Sequence, residues 1–414
     1  MPQAEQPCPV RPCTRGPKAH FFGYYDASPW DASGRYLLAM ETEPIRRYME
    51  PSDAATVAML DLADGDRLIP LDTTTAWNWQ QGAQAAWLGG GDGGWIAYNM
   101  RAADGRSFFS RLRHVRTGET RDLPLPTYSI TDDGRIGLCL NFQRLRYCHP
   151  TIGYAIEGEA PRPPDAPDDD GLFAMDMESG ATRLVLSLAR LAAEEPDPNM
   201  EGAVHWITHP VPNPSGRRVA FLHRYARDVS TQLFWSFRLV TTDLEGRDVR
   251  VLGGRSSPYD PRRITAAELR GTRNQSWSHP YWRDDDHAMT WGVLEDGGHY
   301  LLYPDRARAE PAILGPDCLL RNGHYSFCPT DPNWMLSDTY PDALGVQTLF
   351  LYRMDTGIRY NVARFGTDPQ LTTHLRCDLH PRWSRDGRMV CVDSAHRGAR
   401  QMYLVDVSAL TAAG

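Results

Sequence analysis

The 414-residue chain has no apolar run approaching the roughly 20 residues that a membrane-spanning helix needs. Its opening segment, MPQAEQPCPVRPCTRGPKAH, lacks the apolar core of a secretory leader. A cytoplasmic protein without a membrane partner is therefore expected. Cysteine is sparse: eight residues, at 8, 13, 139, 148, 318, 328, 377 and 391, with no C-x-x-C pair. That excludes a disulfide-stapled scaffold and a thiolate zinc finger, and reduced thiols are expected. Nor is there an excess of positive charge. Lys plus Arg is 44 against 52 for Asp plus Glu, a net charge of −8, which argues against nucleic acid as the main partner but allows a local basic pocket.

What the chain has in quantity is turn formers and aromatics: 35 Gly, 32 Pro, 12 Trp and 18 Tyr. This suits many short strands. Two kinds of segment alternate. The first is a turn followed by an apolar strand, as in DASGRYLLAM (31–40), TDDGRIGLCL (131–140), NPSGRRVAFL (213–222) and SRDGRMVCVD (384–393). Weaker copies are GDGGWIAYN (91–99), DDDHAMTWG (284–292) and TDPNWMLSD (330–338). The second is a strand, a tight turn and a strand, as in VAMLDLADGDRLIPL (57–71), RLRHVRTGETRDLPL (111–125) and LFLYRMDTGIRYNVARF (349–365). Each kind occurs seven times. Seven four-stranded units in series predict an all-β fold, a seven-bladed β-propeller of antiparallel blades forming a single domain over 1–414. The last copy, MYLVDVS (402–408), lacks its final strand, so a strand near Val10–Thr14 is expected to complete the blade and close the ring. Residues 155–170 are predicted to be a loop, 187–200 to begin as a short helix, and another short helix is expected near Thr265–Arg270.

Histidine recurs at one position of the repeat. His209, His279, His324 and His380 each stand seven residues before the turn Gly or its equivalent, three of them as His-Pro. The same register gives Thr127 and Ala27 in earlier blades, and Gln84 if Trp87 is matched to Trp282 and Trp383. In a propeller this position opens the innermost strand, and equivalent positions converge on the axis. Four imidazoles are thus expected in one funnel, as ligands for Zn, Mn, Fe or Ni or as acid–base groups. The competing explanation is that His-Pro is a strand-entry device. Asp378 and Asn322 lie two residues before a His, while His205 and Gln275 lie four before. Asp378 and Asn322 are candidate oxygen ligands.

Other residues can complete such a site. Arg376 and Arg382 flank His380, Arg321 neighbours His324, and Arg144 and Arg146 follow a strand of the third blade. Arginine clamps carboxylates at two points, which suggests a small anionic ligand. AWNWQQG (76–82) offers Trp79 and Gln81 to a sugar, although inter-blade packing explains it equally well. HFFGYYDASPW (20–30), with Tyr24, Tyr25 and Asp26, and SDTYPD, with Tyr340, can each supply a phenol as general acid or simply pack.

The turn-plus-strand copies resemble the WSPDG-type repeats of TolB-like propellers, most closely in RCDLHPRWSRDGRMVCVDSAHRGARQMYLVDV. Among those, the His-Pro starts resemble oligogalacturonate lyases and related seven-bladed polysaccharide lyases. The resemblance implies a divalent metal, typically manganese, held by His324 and His380. It implies His279 as base or ligand with His209 beside it, and Arg side chains on the sugar acid. The lyase pattern has two His separated by one residue where this chain has Asp378-Leu379-His380, and its Gln ligand has no counterpart near Leu375 or Arg376. Asp378 is the expected substitute. The function implied is β-elimination on a uronic-acid oligosaccharide. The alternatives are a non-catalytic TolB-like binding propeller and a glycoside hydrolase, for which no carboxylate pair stands out.

Overall fold

A computed structural model of the chain describes residues 2–89, 94–259 and 277–412. The turn glycines dictate the architecture. Gly34, Gly134, Gly216 and Gly387 all take left-handed φ, between 67° and 73°, a conformation glycine adopts without steric cost. At Gly387 a Cβ would also lie 2.5 Å from Cys328 Sγ, so this turn is seated against its neighbour. Short polar side chains close the same turns. Asn213 Oδ1 accepts from the N–H groups of Arg217 and Arg218, and Ser384 Oγ from that of Met389.

Between these turns the chain forms seven antiparallel four-stranded blades, the β-propeller fold. By compactness it falls into two units. The first unit (Met1–Thr127, Tyr154–Glu157 and Asp317–Gly414) carries blades one, two, six and seven. Blade one is Ala19–Phe21, Tyr36–Thr42, Ala55–Asp61 and Arg67–Thr74; blade two is Ala86–Trp87, Trp95–Arg101, Phe108–His114 and Thr120–Leu123. Blade six is Tyr325–Phe327, Trp334–Ser337, Val346–Arg353 and Ile358–Gly366. Blade seven has Arg382–Trp383, Met389–Ser394 and Gln401–Asp406 from the C-terminal end of the chain. Its fourth strand is Val10–Pro12, antiparallel to Gln401–Asp406, with Arg11 opposite Leu404. A few residues earlier, Gln3–Glu5 adds a fifth, parallel strand to blade six.

The second unit (Tyr128–Gly153 and Gly158–Pro316) holds the other three blades. Blade three is Thr127–Ile130, Ile136–Cys139, Gly171–Asp176 and Thr182–Ser187. Blade four is Val204–Pro212, Arg218–Ala226, Ser236–Asp243 and Arg250–Arg255. Blade five is Ser278–Trp282, His287–Leu294, Gly297–Pro304 and Ala312–Leu314.

The expected helix is Leu188–Ala193, capped by Ser187, and 155–170 is loop. A helix that the repeat does not announce, Phe142–Cys148, starts at Asn141, whose side chain accepts from the N–H groups of Gln143 and Arg144. The helix expected near Thr265–Arg270, and Gln275, lie outside the described residues. The blade faces of the first unit pack Trp30, Trp77, Trp79 and Trp87 into one apolar cluster and Trp334, Trp383 and Tyr403 into another. All eight cysteines are free thiols. Among the described residues no helix is long and apolar enough to cross a membrane.

Candidate functional site

The repeated histidine position has a backbone signature. His209, His279 and His380 have φ of 56°, 59° and 41°, and Gln84, the blade-two counterpart, has 54°. In blades four and five the pairing register slips around it, between Thr208 and Val211 and between Ser278 and Tyr281. The inner strand thus bulges here, at a left-handed residue, a conformation in which histidine is enriched and β-branched residues are disfavoured. This gives the His-Pro starts a folding reason independent of chemistry.

His324 enters its blade differently. Its N–H donates to Asp338 Oδ1 at 2.6 Å, and its Nδ1 lies 3.1 Å from each Asp338 oxygen. The carboxylate can only accept, so Nδ1 carries a proton. The preceding Gly323 makes this possible: a Cβ there would lie 1.9 Å from the Asp338 carbonyl oxygen. Asp338 is only 1 % exposed.

Against His324 stands His380, ring centroids 4.2 Å apart and planes at 85°. With Asp378 they form a buried set whose ligand atoms all lie within 4.8 Å of one another. Two donors each about 2.1 Å from one ion stand at most about 4 Å apart. The set is therefore close to a ligating arrangement, and two imidazoles with a carboxylate suit a divalent transition ion.

Asp378 is not a bare carboxylate. Arg376 Nε and Nη2 each donate to one of its oxygens at 2.6 Å. Burial raises the Asp378 carboxyl, but the Arg376 guanidinium more than offsets this and holds it below the ordinary value. The Arg376 side chain is about one-third exposed, at 35 %, and lies 4.6 Å over the Tyr340 ring. Its backbone is pinned: its carbonyl accepts from Gln80 Nε2 at 2.8 Å and Arg400 Nη2 at 3.1 Å.

Three phenol rings wall the histidines. Tyr24 meets His380 edge-on at 5.0 Å, Tyr25 lies 5.7 Å from His324, and Tyr340 meets His324 edge-on at 5.4 Å. Next to them Asp26 is enclosed enough that burial pushes its carboxyl up to about 7.

The structure thus brings together His324, His380, Asp378, Arg376, Tyr25 and Tyr340. Other expected residues are engaged elsewhere. Arg382, 1 % exposed, pairs with Asp393 at 2.8 Å and reaches the Gly23 carbonyl, tying blade seven to the backbone at Gly23 rather than facing a ligand. Trp79 is buried against Phe21, Trp77 and Arg400, so its faces are taken by packing. Gln81 is buried too, its N–H donating to Asn78 and its side-chain oxygen accepting from Gln84. Arg321 is exposed beside Asn322. In the second unit, Arg144 is buried by Asp170 and the carbonyls of Pro164 and His205. His209 and His279 are buried there as well, His209 edge-on to Tyr128. Among the described residues the ligand set comprises His324, Asp378 and His380, and His279 is not in it.

Asp338 and Gly323 were not singled out from the sequence. The repeat does carry a signal for Asp338. MLSD (335–338) and VCVD (390–393) occupy one register, and in these two blades an aspartate at the end of the second strand grips the inner segment: Asp338 holds His324, Asp393 holds Arg382.

Fold and site together define a seven-bladed β-propeller carrying a buried His/His/Asp ligand set. No family model matches the chain, and no curated protein matches it. Solved structures do. An oligogalacturonate lyase in complex with manganese superimposes with a TM-score of 0.63 at 14 % identity, covering 96 % of this chain and 93 % of that one. The oligogalacturonate lyase of Vibrio parahaemolyticus gives 0.58 at 14 % identity with the same coverage, 96 % and 93 %. A puromycin-hydrolysing peptidase of Mycobacterium tuberculosis gives 0.53 at 13 % identity, over 98 % of this chain and 55 % of the other. At these identities the likeness is one of fold.

Proposed function

We propose that the protein is a lyase that cleaves a uronic-acid-containing oligosaccharide by β-elimination. The observation that carries this reading is the convergence of His324, His380 and Asp378 with Arg376 and a tyrosine wall, on the fold shared with oligogalacturonate lyases. In this reading His324, His380 and Asp378 hold a divalent ion, manganese first and Zn, Fe or Ni as alternatives. Such an ion supplies charge neutralisation for a sugar carboxylate.

The chain's own groups do the rest. Arg376 binds the uronate carboxylate, lowering the pKa of the C5 proton. An imidazole takes that proton. The C5–H electron pair becomes the C4=C5 bond, the C4–O bond breaks, and the phenol of Tyr340 or Tyr25 protonates the leaving oxygen. The substrate is a small anionic oligosaccharide handled in the cytoplasm. Asp338 orients His324 and fixes its tautomer.

Metal content of tag-free protein, followed by ultraviolet absorbance of the unsaturated product on uronate oligosaccharides, tests this. About one ion per chain and formation of the unsaturated product are expected. Metal-free protein that cleaves nothing after reconstitution removes the proposal. It would favour the second reading, a non-catalytic binding propeller, which draws support from the shared left-handed backbone at His209, His279 and His380.

A further inference from the structure

Asp378 is the odd member of the ligand set. Its two neighbours there are imidazoles, so it is the one member of the set that can bring a negative charge directly to a divalent ion. Yet both of its oxygens already hold Arg376, each at 2.6 Å. A carboxylate keeps further lone pairs, but a metal ion bound to it would share the buried carboxylate with a guanidinium. Two cations around one buried anion repel strongly where the dielectric is low.

The arginine is built to yield. Its backbone is fixed by Gln80 and Arg400, whereas its side chain is 35 % exposed and rests on the flat face of Tyr340. The guanidinium can turn toward an anion arriving from solvent without disturbing the chain that carries it. A carboxylate that captures Arg376 at two points would balance its charge and release the oxygens of Asp378.

We infer that a divalent metal ion and a uronate carboxylate bind this protein cooperatively, with the Arg376–Asp378 pair as the coupling element. The inference rests on the lyase reading. It goes beyond it by assigning Arg376 two states: gatekeeper of the metal ligand when the anion is absent, clamp on the anion when it is present. Linkage makes the effect reciprocal, so the metal must tighten uronate binding by the same factor.

The test is calorimetric titration of Mn²⁺ into the full chain in sodium galacturonate and, at matched ionic strength, in sodium chloride with galactose. Titration of Mn²⁺ into galacturonate alone corrects for chelation by the sugar. Tightening by about 5- to 100-fold in galacturonate is expected. Arg376→Gln should bind Mn²⁺ more tightly than the parent in galactose and gain nothing further from galacturonate. Arg376→Lys keeps the charge without the two-point fork, so its Mn²⁺ affinity in galactose should fall between the two. It serves if the Gln variant does not fold. Mn²⁺ binding that is lost in His324→Ala but indifferent to galacturonate overturns the coupling and leaves the metal-site reading standing. No Mn²⁺ binding under either condition overturns both.

Discussion

Each unit of the molecule buries a pair of touching histidines, and the two pairs are opposites. In the first unit, His324 and His380 are flanked by carboxylates: Asp338 on His324 Nδ1, and Asp378 within the ligand set. In the second, His205 Nδ1 lies 2.9 Å from His223 Nε2, and His223 Nδ1 faces Arg238, whose Nε and Nη2 stand at 3.1 and 2.8 Å. A guanidinium can only donate, so His223 must accept on Nδ1 and carry its proton on Nε2. That proton goes to His205 Nδ1, which therefore also accepts. Every facing nitrogen of this second pair is used, and the neighbouring charge is positive. The remaining Arg238 donors end on the carbonyls of Leu191, Glu194 and Glu195. This pair is a strut, whereas the first has the charge a cation needs. Histidines in contact are thus not in themselves a site; the sign of the charge behind them decides.

Mutations at the two pairs should therefore separate stability from binding. The largest effect is expected for His324→Ala or His380→Ala. Each should abolish Mn²⁺ binding and reduce product formation by more than about 100-fold. His223→Ala should do the reverse, leaving metal affinity intact while costing about 2–4 kcal/mol of unfolding free energy, because it opens a cavity and leaves buried Arg238 donors unmet. Equal loss of metal binding in His223→Ala would break the comparison. A smaller effect is expected at Asp338. Asp338→Asn removes the carboxylate that fixes the His324 tautomer, and Mn²⁺ affinity by calorimetry should fall about 10- to 100-fold. Unchanged affinity would mean that Asp338 serves the fold alone.

Much of this was legible because it is local. The seven turn-plus-strand copies announce themselves through turn residues whose φ only glycine takes easily, so the blade count and the register of the histidines followed from the sequence. Asp378 and Arg376 stood out by proximity to His380. What proximity could not show was that they pair with each other, because Arg376 and Asp378 follow the turn Thr373–Leu375 outside any strand, where spacing does not fix side-chain direction. Asp338 was hidden for a different reason: it grips a histidine 14 positions away, and only the folded blade brings the two together. The parallel strand Gln3–Glu5 was hidden likewise, for its partner Ile358–Gly366 lies at the far end of the chain. Arg382 and Trp79 had the right chemistry for a ligand, but burial against Asp393 and Phe21 is invisible in one dimension.

The smallest expected effect is a pH dependence to which the second pair should contribute. Burial lowers the His205 imidazole from its ordinary 6.5 to about 4, and lowers His223 as well. Both are neutral in the folded protein, and unfolding lets them charge. Between pH 6.5 and 4 the unfolded chain therefore binds more protons than the folded one, and stability falls as the pH drops through that window. For His205 alone the loss between pH 7 and pH 5 is about 2 kcal/mol. In urea titrations at the two pH values, His205→Gln should flatten that part of the profile, because the variant has no imidazole to protonate on unfolding. If the slope persisted undiminished in His205→Gln, the acid sensitivity would lie elsewhere, and the reading of the second pair as a neutral strut braced by Arg238 would fail.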